Sequence, residues 1–193
     1  MKLIYLDFDG VLNDHVAWPN KYNPIKPSCV AQLNRILQAT GANIVLSSAW
    51  RYLNFSNDIS LKGFEYLLLI HGISYDSIND RIIGVTKSDH KHLGVSPEEL
   101  NYEWLRIHGA TLRREQIYAD AEARGVARFV VLDDLFLNMI KQVQTRADLG
   151  LTAPYAEDAI ALLNGPVMHQ PRLRSIAEVA EEMRELLRSG ARI

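Results

Sequence analysis

Asp7 and Asp9 are the residues of this chain best placed to do chemistry. They end a short apolar run, KLIYLDFDGVLN over residues 2–13, at the mouth of a glycine turn. In an extended strand alternate side chains share a face, so the two carboxylates point one way while Phe8 points into the body of the protein. Like charges this close hold together only when a cation bridges them or when one carboxyl keeps its proton. Gly10 lets the backbone turn sharply with no Cβ to clash. The arrangement is an address for phosphate chemistry. The alternative is plain turn chemistry, since aspartate before glycine is common at strand ends.

A second acidic pair follows a second apolar run. ARFVVLDDLFLN reads as a buried strand over residues 129–132 that ends in Asp133 and Asp134, and two carboxylates there are costly unless they bind something or are well solvated. With Asp7, Phe8, Asp9, Gly10, Val11 and Leu12 behind a hydrophobic strand, the chain resembles the haloacid dehalogenase-like (HAD) phosphohydrolases, whose first motif is DxDGxL. The resemblance implies three further stations in order. A strand ending in Ser or Thr is supplied by NIVLSSAWR, with Ser47 as the hydroxyl that holds a phosphoryl oxygen and Ser48 beside it. A basic residue before the fourth strand is supplied by Arg113 or Arg114, of which Arg113 is preferred, although an arginine stands where the family's usual residue is lysine. The acidic pair Asp133 and Asp134 is the fourth station. SSAWR and the later DLGLTAPYAEDAIALLN narrow the resemblance to the HAD domain of Swiss-Army-knife RNA repair proteins, over residues 1–165.

The resemblance implies a Mg²⁺-dependent phosphomonoester hydrolase in which Asp7 is the nucleophile and an aspartyl-phosphate is cleaved by water. Asp9 is expected as general acid for the leaving oxygen and then as base for water, its neighbour's charge favouring the protonated form that the first role needs. Metal ligands are implied from Asp7, the backbone carbonyl of Asp9, Asp133 directly, and Asp134 directly or through water. Such hard oxygen donors suit Mg²⁺. Ser47 and Arg113 are expected to offset phosphoryl charge, and Gly10, Ser48, Arg51 and Trp18 to lie on the substrate side. The substrate is a nucleic-acid end, a free nucleotide or another small phosphorylated metabolite; a phosphate-binding regulatory domain without turnover is the reading from a different class.

The elements that must position these residues form an α/β, Rossmann-like pattern. Strands expected at residues 2–6, 43–46 and 129–132 alternate with helical patterns, which implies a parallel sheet flanked by helices, with ligands beyond the strands' carboxyl ends. One helix is expected to start near Ser28 and stop before Gly41, and another to span residues 61–71, with short strands at 82–85 and 143–145. Residues 87–112 read as a small cap-like insertion with helix-start chemistry at Ser96, Pro97 and Glu99. Asp89, His90 and His92 within it lack a matched ligand pair and read as polar loop residues rather than a zinc site. The loop after the first station carries Trp18 and Tyr22, which with Trp50, Arg51 and Tyr52 either stack on a nucleobase or pack the loop on the core. Residues 166–193 read as an amphipathic helix that docks on the core or pairs two copies in a homodimer.

Composition fits one compact domain: 193 residues, 48% hydrophobic and 23% charged, are enough for a sizeable core. A net charge of −2 argues against a general polyanion binder, although a local basic patch around Arg113, Arg114 and Arg128 stays open. The single Cys29 allows no internal disulfide and suggests a reducing compartment. No signal peptide or membrane span is read in the chain, so a cytoplasmic enzyme is expected.

Overall fold

The computed structural model describes residues 1–14, 25–51, 59–87 and 102–168. Among them, five strands form one parallel sheet: β1 (Leu3–Leu6), β2 (Asn43–Leu46), β3 (Ile82–Val85), β4 (Phe129–Asp133) and β5 (Gln142–Gln144), in the order β3-β2-β1-β4-β5. The helices are α1 (Pro27–Thr40), α2 (Leu61–Ile70), the single turn α3 (Tyr75–Ile78), α4 (Tyr102–Ala123) and α5 (Ala153–Asn164). The parallel Rossmann-like sheet expected from the sequence is therefore present. β1 sits between β2 and β4, so the strand order reverses beside it, and in open α/β sheets the crevice at that reversal is where ligands bind.

Alternation along the strands divides the core in two. Ile4 and Leu6 of β1 join Phe8, Leu33 and Ile36 of α1, Phe64 of α2 and Ala159 of α5 on one face. Leu3, Tyr5, Val45 and Val131 meet Ile117 and Ala121 of α4 on the other. Strands buried on both faces have to be apolar throughout, which is why LIYL and FVVL read as continuous hydrophobic runs. α1 starts at Pro27, whose fixed φ and missing N–H suit a first turn, and ends where Gly41 takes φ +62° and donates its N–H to Leu37 O. Ser60 caps α2 by accepting from Gly63 N at 3.1 Å.

α4 departs from the expected boundary at residue 112. It runs unbroken from Tyr102 to Ala123, so residues 102–112, expected at the end of an insertion, are the first half of the helix that carries Arg113. Leu112, Gln116, Ile117 and Ala121 are all buried at helical spacing, and that continuous inward stripe leaves no place for a break. The expected helix-start residues Ser96, Pro97 and Glu99, the polar residues Asp89, His90 and His92, the aromatics Trp18, Tyr22 and Tyr52, and the expected helix after residue 168 lie outside the described residues.

α4 is pinned to β1 by a buried polar tie. Tyr5 donates its hydroxyl to Asp120 Oδ2 at 2.9 Å, and Arg124 Nε donates to the same oxygen at 2.7 Å. Burial, then the charge of Asp120, pushes the Tyr5 phenol far above its ordinary range, so it stays a donor. Gly84 of β3 leaves room for the Arg124 guanidinium, which a Cβ would meet at 2.7 Å. Tyr118, by contrast, buries a hydroxyl with no partner among the described residues. Tyr5→Phe is expected to cost about 1–2 kcal/mol, and Tyr118→Phe to be near neutral. Urea unfolding midpoints check this; equal effects from both substitutions would contradict the tie.

Candidate active site

Strand register builds the site. Leu6 lies level with Leu46 on one side and Leu132 on the other. The next residue of each strand is therefore Asp7, Ser47 and Asp133, placed side by side. Backbone bonds fix that row: Ser47 N donates to Leu6 O at 2.9 Å and Asp7 N to Leu132 O at 3.0 Å. Tyr5, Val45 and Val131 precede these residues by two and face α4, so the polar row faces α4 too. The inward-facing row is almost closed to water, with Asp7 4% exposed and Ser47 and Asp133 fully buried.

α4 delivers Arg113 to this row. One guanidinium nitrogen, Nη1, bridges Asp7 Oδ2 and Asp133 Oδ2, the second at 2.8 Å. The outer oxygens are held by backbone: Asp7 Oδ1 accepts from Phe8 N at 2.8 Å, and Asp133 Oδ1 from Leu135 N at 2.9 Å. Burial works against the charge of Arg113, but Asp7 and Asp133 outweigh it and hold the guanidinium protonated. Burial, opposed by Arg113 and helped by the charge of Asp7, pushes Asp133 up to about 7. Arg114 lies roughly 100° round the helix, where its charge acts on Tyr118 instead. Of the two arginines left open by the sequence, Arg113 alone pairs with these carboxylates.

Asp134 completes a carboxylate cluster. Ligand atoms from Asp7, Asp133 and Asp134 lie within 4.8 Å of one another. Gly10, at φ +71°, is the floor beneath Asp134: a Cβ there would fall 2.6 Å from the Asp134 carboxyl carbon. Its N–H donates to Asn13 Oδ1 at 2.9 Å, and its carbonyl accepts from Thr145 Oγ1 at 2.7 Å. The glycine is thus held from within its loop by Asn13 and from beyond β5 by Thr145. The carboxylate of Asp9 turns away from the cluster. Its Oδ1 accepts from Asn13 Nδ2 at 2.9 Å and its Oδ2 from Trp50 Nε1 at 3.0 Å. Phe8 stacks on Trp50 at 4.9 Å between centroids, which fixes the indole that holds Asp9. Trp50 therefore packs and positions.

Arg51, expected on the substrate side, faces inward. It is 5% exposed, with Nη1 donating to Ser47 O and Ser48 O at 3.1 and 3.2 Å and Nη2 to Gln116 Oε1 at 3.0 Å. The strand end turns there, and its carbonyls need donors that the sheet no longer supplies. Ser48 is buried, and its Oγ accepts from Trp50 N at 3.3 Å. Ser47 Oγ has no partner among the described residues, which leaves a hydroxyl unused beside Asp7. Trp18 lies outside the described residues. Asn13, Gln116 and Thr145 were not anticipated from sequence; the visible trace of Gln116 was a polar residue on the apolar stripe of α4.

The family model described as the HAD domain in Swiss Army Knife RNA repair proteins matches residues 3–156, and so takes in every residue of this row. The chain belongs to this HAD family. No curated protein and no solved structure matches significantly. Asp7, Ser47, Arg113 and the acidic pair of this HAD domain thus converge on one end of its sheet, while Asn13 and Trp50 hold the carboxylate of Asp9. No helix among the described residues is long and apolar enough to cross a membrane.

The raised Asp133 carboxyl gives a pH dependence of defined sign. A group whose folded-state affinity for protons exceeds its unfolded one stabilises at low pH and loses that contribution as pH rises. Relative to Asp133→Asn, the metal-free HAD domain is expected to lose stability as pH rises from about 4 to about 7, the interval between the ordinary and the folded value. A divalent cation held by the three carboxylates is expected to flatten that loss. Denaturant unfolding of both proteins across the interval checks it, and a wild-type stability that climbs relative to the variant would contradict the buried-carboxyl account.

Proposed function

We propose that this HAD domain is a Mg²⁺-dependent phosphomonoester hydrolase that works through an aspartyl-phosphate on Asp7. The observation that carries the reading is the level row of Asp7, Ser47 and Asp133 with Arg113 against it. A buried carboxylate, an unused hydroxyl and a permanent cation converge there, as attack on a phosphoryl group requires. The donor set also fits a hard divalent cation. Three carboxylates within 4.8 Å of one another exceed what a single guanidinium neutralises.

Asp7, Asp133 and Asp134 would hold Mg²⁺, with the backbone carbonyl of Asp9 as the family resemblance implies. When bound, the metal supplies charge neutralisation and orientation of the phosphoryl oxygens. The protein's residues do the remaining work. Asp7 attacks phosphorus through the oxygen not held by Phe8 N, which requires Arg113 to move its bond from that oxygen to the phosphoryl group. Ser47 Oγ donates to a phosphoryl oxygen and gains the partner it lacks. Asp9 gives a proton to the leaving oxygen and then takes one from water. To serve in both roles it must exchange its contact with Asn13 or Trp50 for one with the substrate. Burial of the row keeps competing water from Asp7.

For the substrate, the family's description brings a nucleic-acid end forward, with a free nucleotide or small phosphate ester as the second choice. Comparing a phosphate-ended oligonucleotide with the matching mononucleotide across salt concentrations separates them: preference for the oligomer that weakens with salt marks the polymer.

Asp7→Asn is expected to abolish hydrolysis of an aryl phosphate while the fold is kept, and chelation of the wild type to stop a reaction that Mg²⁺ restores. Steady-state assays with circular dichroism check both; full turnover by Asp7→Asn would remove the covalent route. Trp50→Phe keeps the stack on Phe8 but releases Asp9. It is expected to slow esters of poor leaving groups roughly ten- to a hundred-fold, within the span of general acid catalysis, and to spare p-nitrophenyl phosphate, whose leaving group needs no proton. Equal slowing of both would separate Trp50 from the acid step.

A further inference from the structure

We infer that Arg51 and Gln116 are positioning residues, forming a tie that sets the separation between Ser47 and Arg113, the two groups that grip the phosphoryl oxygens. The inference rests on the phosphohydrolase reading and adds to it how the grip is held. Ser47 sits on the end of β2, whereas Arg113 sits on α4, so no single element fixes their distance. Arg51 spans the gap. Its Nη1 donates to Ser47 O at 3.1 Å and Ser48 O at 3.2 Å, and its Nη2 to Gln116 Oε1 at 3.0 Å. Gln116 is one helical turn from Arg113 on the same inward stripe. With Arg113 on Asp7, and Ser47 N on Leu6 O, the contacts close a ring around the place where the phosphoryl group is to sit.

Stability alone does not account for this tie. α4 is already fastened to the sheet by Ile117, Ala121 and the Tyr5–Asp120–Arg124 cluster farther along the helix. A guanidinium can only donate, so Gln116 must turn Oε1 toward it. Its Nε2 is then buried with no partner among the described residues, an arrangement that costs rather than gains stability. The cost falls at the site end of the helix. There, displacing a reacting group by an ångström slows chemistry far more than it loosens a fold.

A double-mutant cycle on wild-type, Ser47→Ala, Gln116→Met and doubly substituted full-length protein tests this, with kcat and KM for an aryl phosphate and thermal unfolding read on each. Gln116→Met keeps side-chain volume but gives Arg51 no strong acceptor. It is expected to lower kcat about ten- to a hundred-fold with KM little changed, the scale of a small misplacement. Because it acts through the Ser47 hydroxyl, adding it to Ser47→Ala should cost no more than about threefold further. Gln116→Glu, which restores an acceptor, is expected to recover most of the loss. Arg51→Lys, too short to hold all three acceptors, runs in the same cycle if Gln116→Met does not fold. Losses that multiply, or that track the unfolding midpoint, would overturn the tie and leave the hydrolase reading standing. A wild type no faster than Asp7→Asn would overturn both.

Discussion

Three parallel strands that end level with one another are the constraint from which the rest of this structure follows. With Leu6, Leu46 and Leu132 in register, the residues after them are forced into one row, whatever their chemistry. That row is Asp7, Ser47 and Asp133, and burial makes its charge a problem that the fold must solve. Arg113 is the solution, with one nitrogen shared between two carboxylates. A one-residue slip of β1 would turn Asp7 into the apolar face beneath α1 and bring Leu6 under α4.

The second requirement is that α4 hold its height along the sheet, because Arg113 is useful only at the row. Two polar devices do this at different levels of the helix. Tyr5, Asp120 and Arg124 fasten its carboxyl half to β1, with Gly84 making room, and Gln116 with Arg51 fastens it near the site. Around Asp9 a third set of contacts acts on the loop itself. Trp50 and Asn13 hold its carboxylate while Asn13 and Thr145 hold the Gly10 turn. The loop that carries both aspartates is thus shaped by its own Asn13 and by Trp50 and Thr145 from elsewhere in the chain, and the position of the Asp9 carboxylate is tied to the aromatic stack of Phe8 on Trp50.

Much of this was legible in the sequence, and the limits have physical causes. A strand buried on both faces is apolar throughout, so the ends of β1, β2 and β4 show as the points where Asp, Ser and Asp interrupt such runs. The preference for Arg113 over Arg114 could not be fixed by helix phase, because Ile117 and Tyr118, four residues on from each, are both apolar. Ile117 and Ala121, packed against the sheet, and the ion pairs of Arg113 with Asp7 and Asp133 settle it in three dimensions. For Arg51 the sequence leaves a substrate-side role and packing of the loop both open, because nothing in it shows that the carbonyls of Ser47 and Ser48 at the strand end take up its guanidinium. Residue 112, the expected end of the insertion, falls inside α4: helix-start chemistry at residues 96–99 marks a start, but nothing between there and Arg113 marks a stop. Gly109 was the one weak point, and an isolated glycine is tolerated within a long helix.

In the proposed mechanism Asp7 itself carries the phosphoryl group. Rapid acid quenching during turnover of a phosphomonoester with Mg²⁺, followed by borohydride reduction and peptide mass spectrometry, reads this directly. An acyl-phosphate on Asp7 would be reduced to homoserine at that position, and only when substrate and metal are both present. Sustained hydrolysis with an unmodified Asp7, or reduction at another carboxylate such as Asp9, would contradict the account.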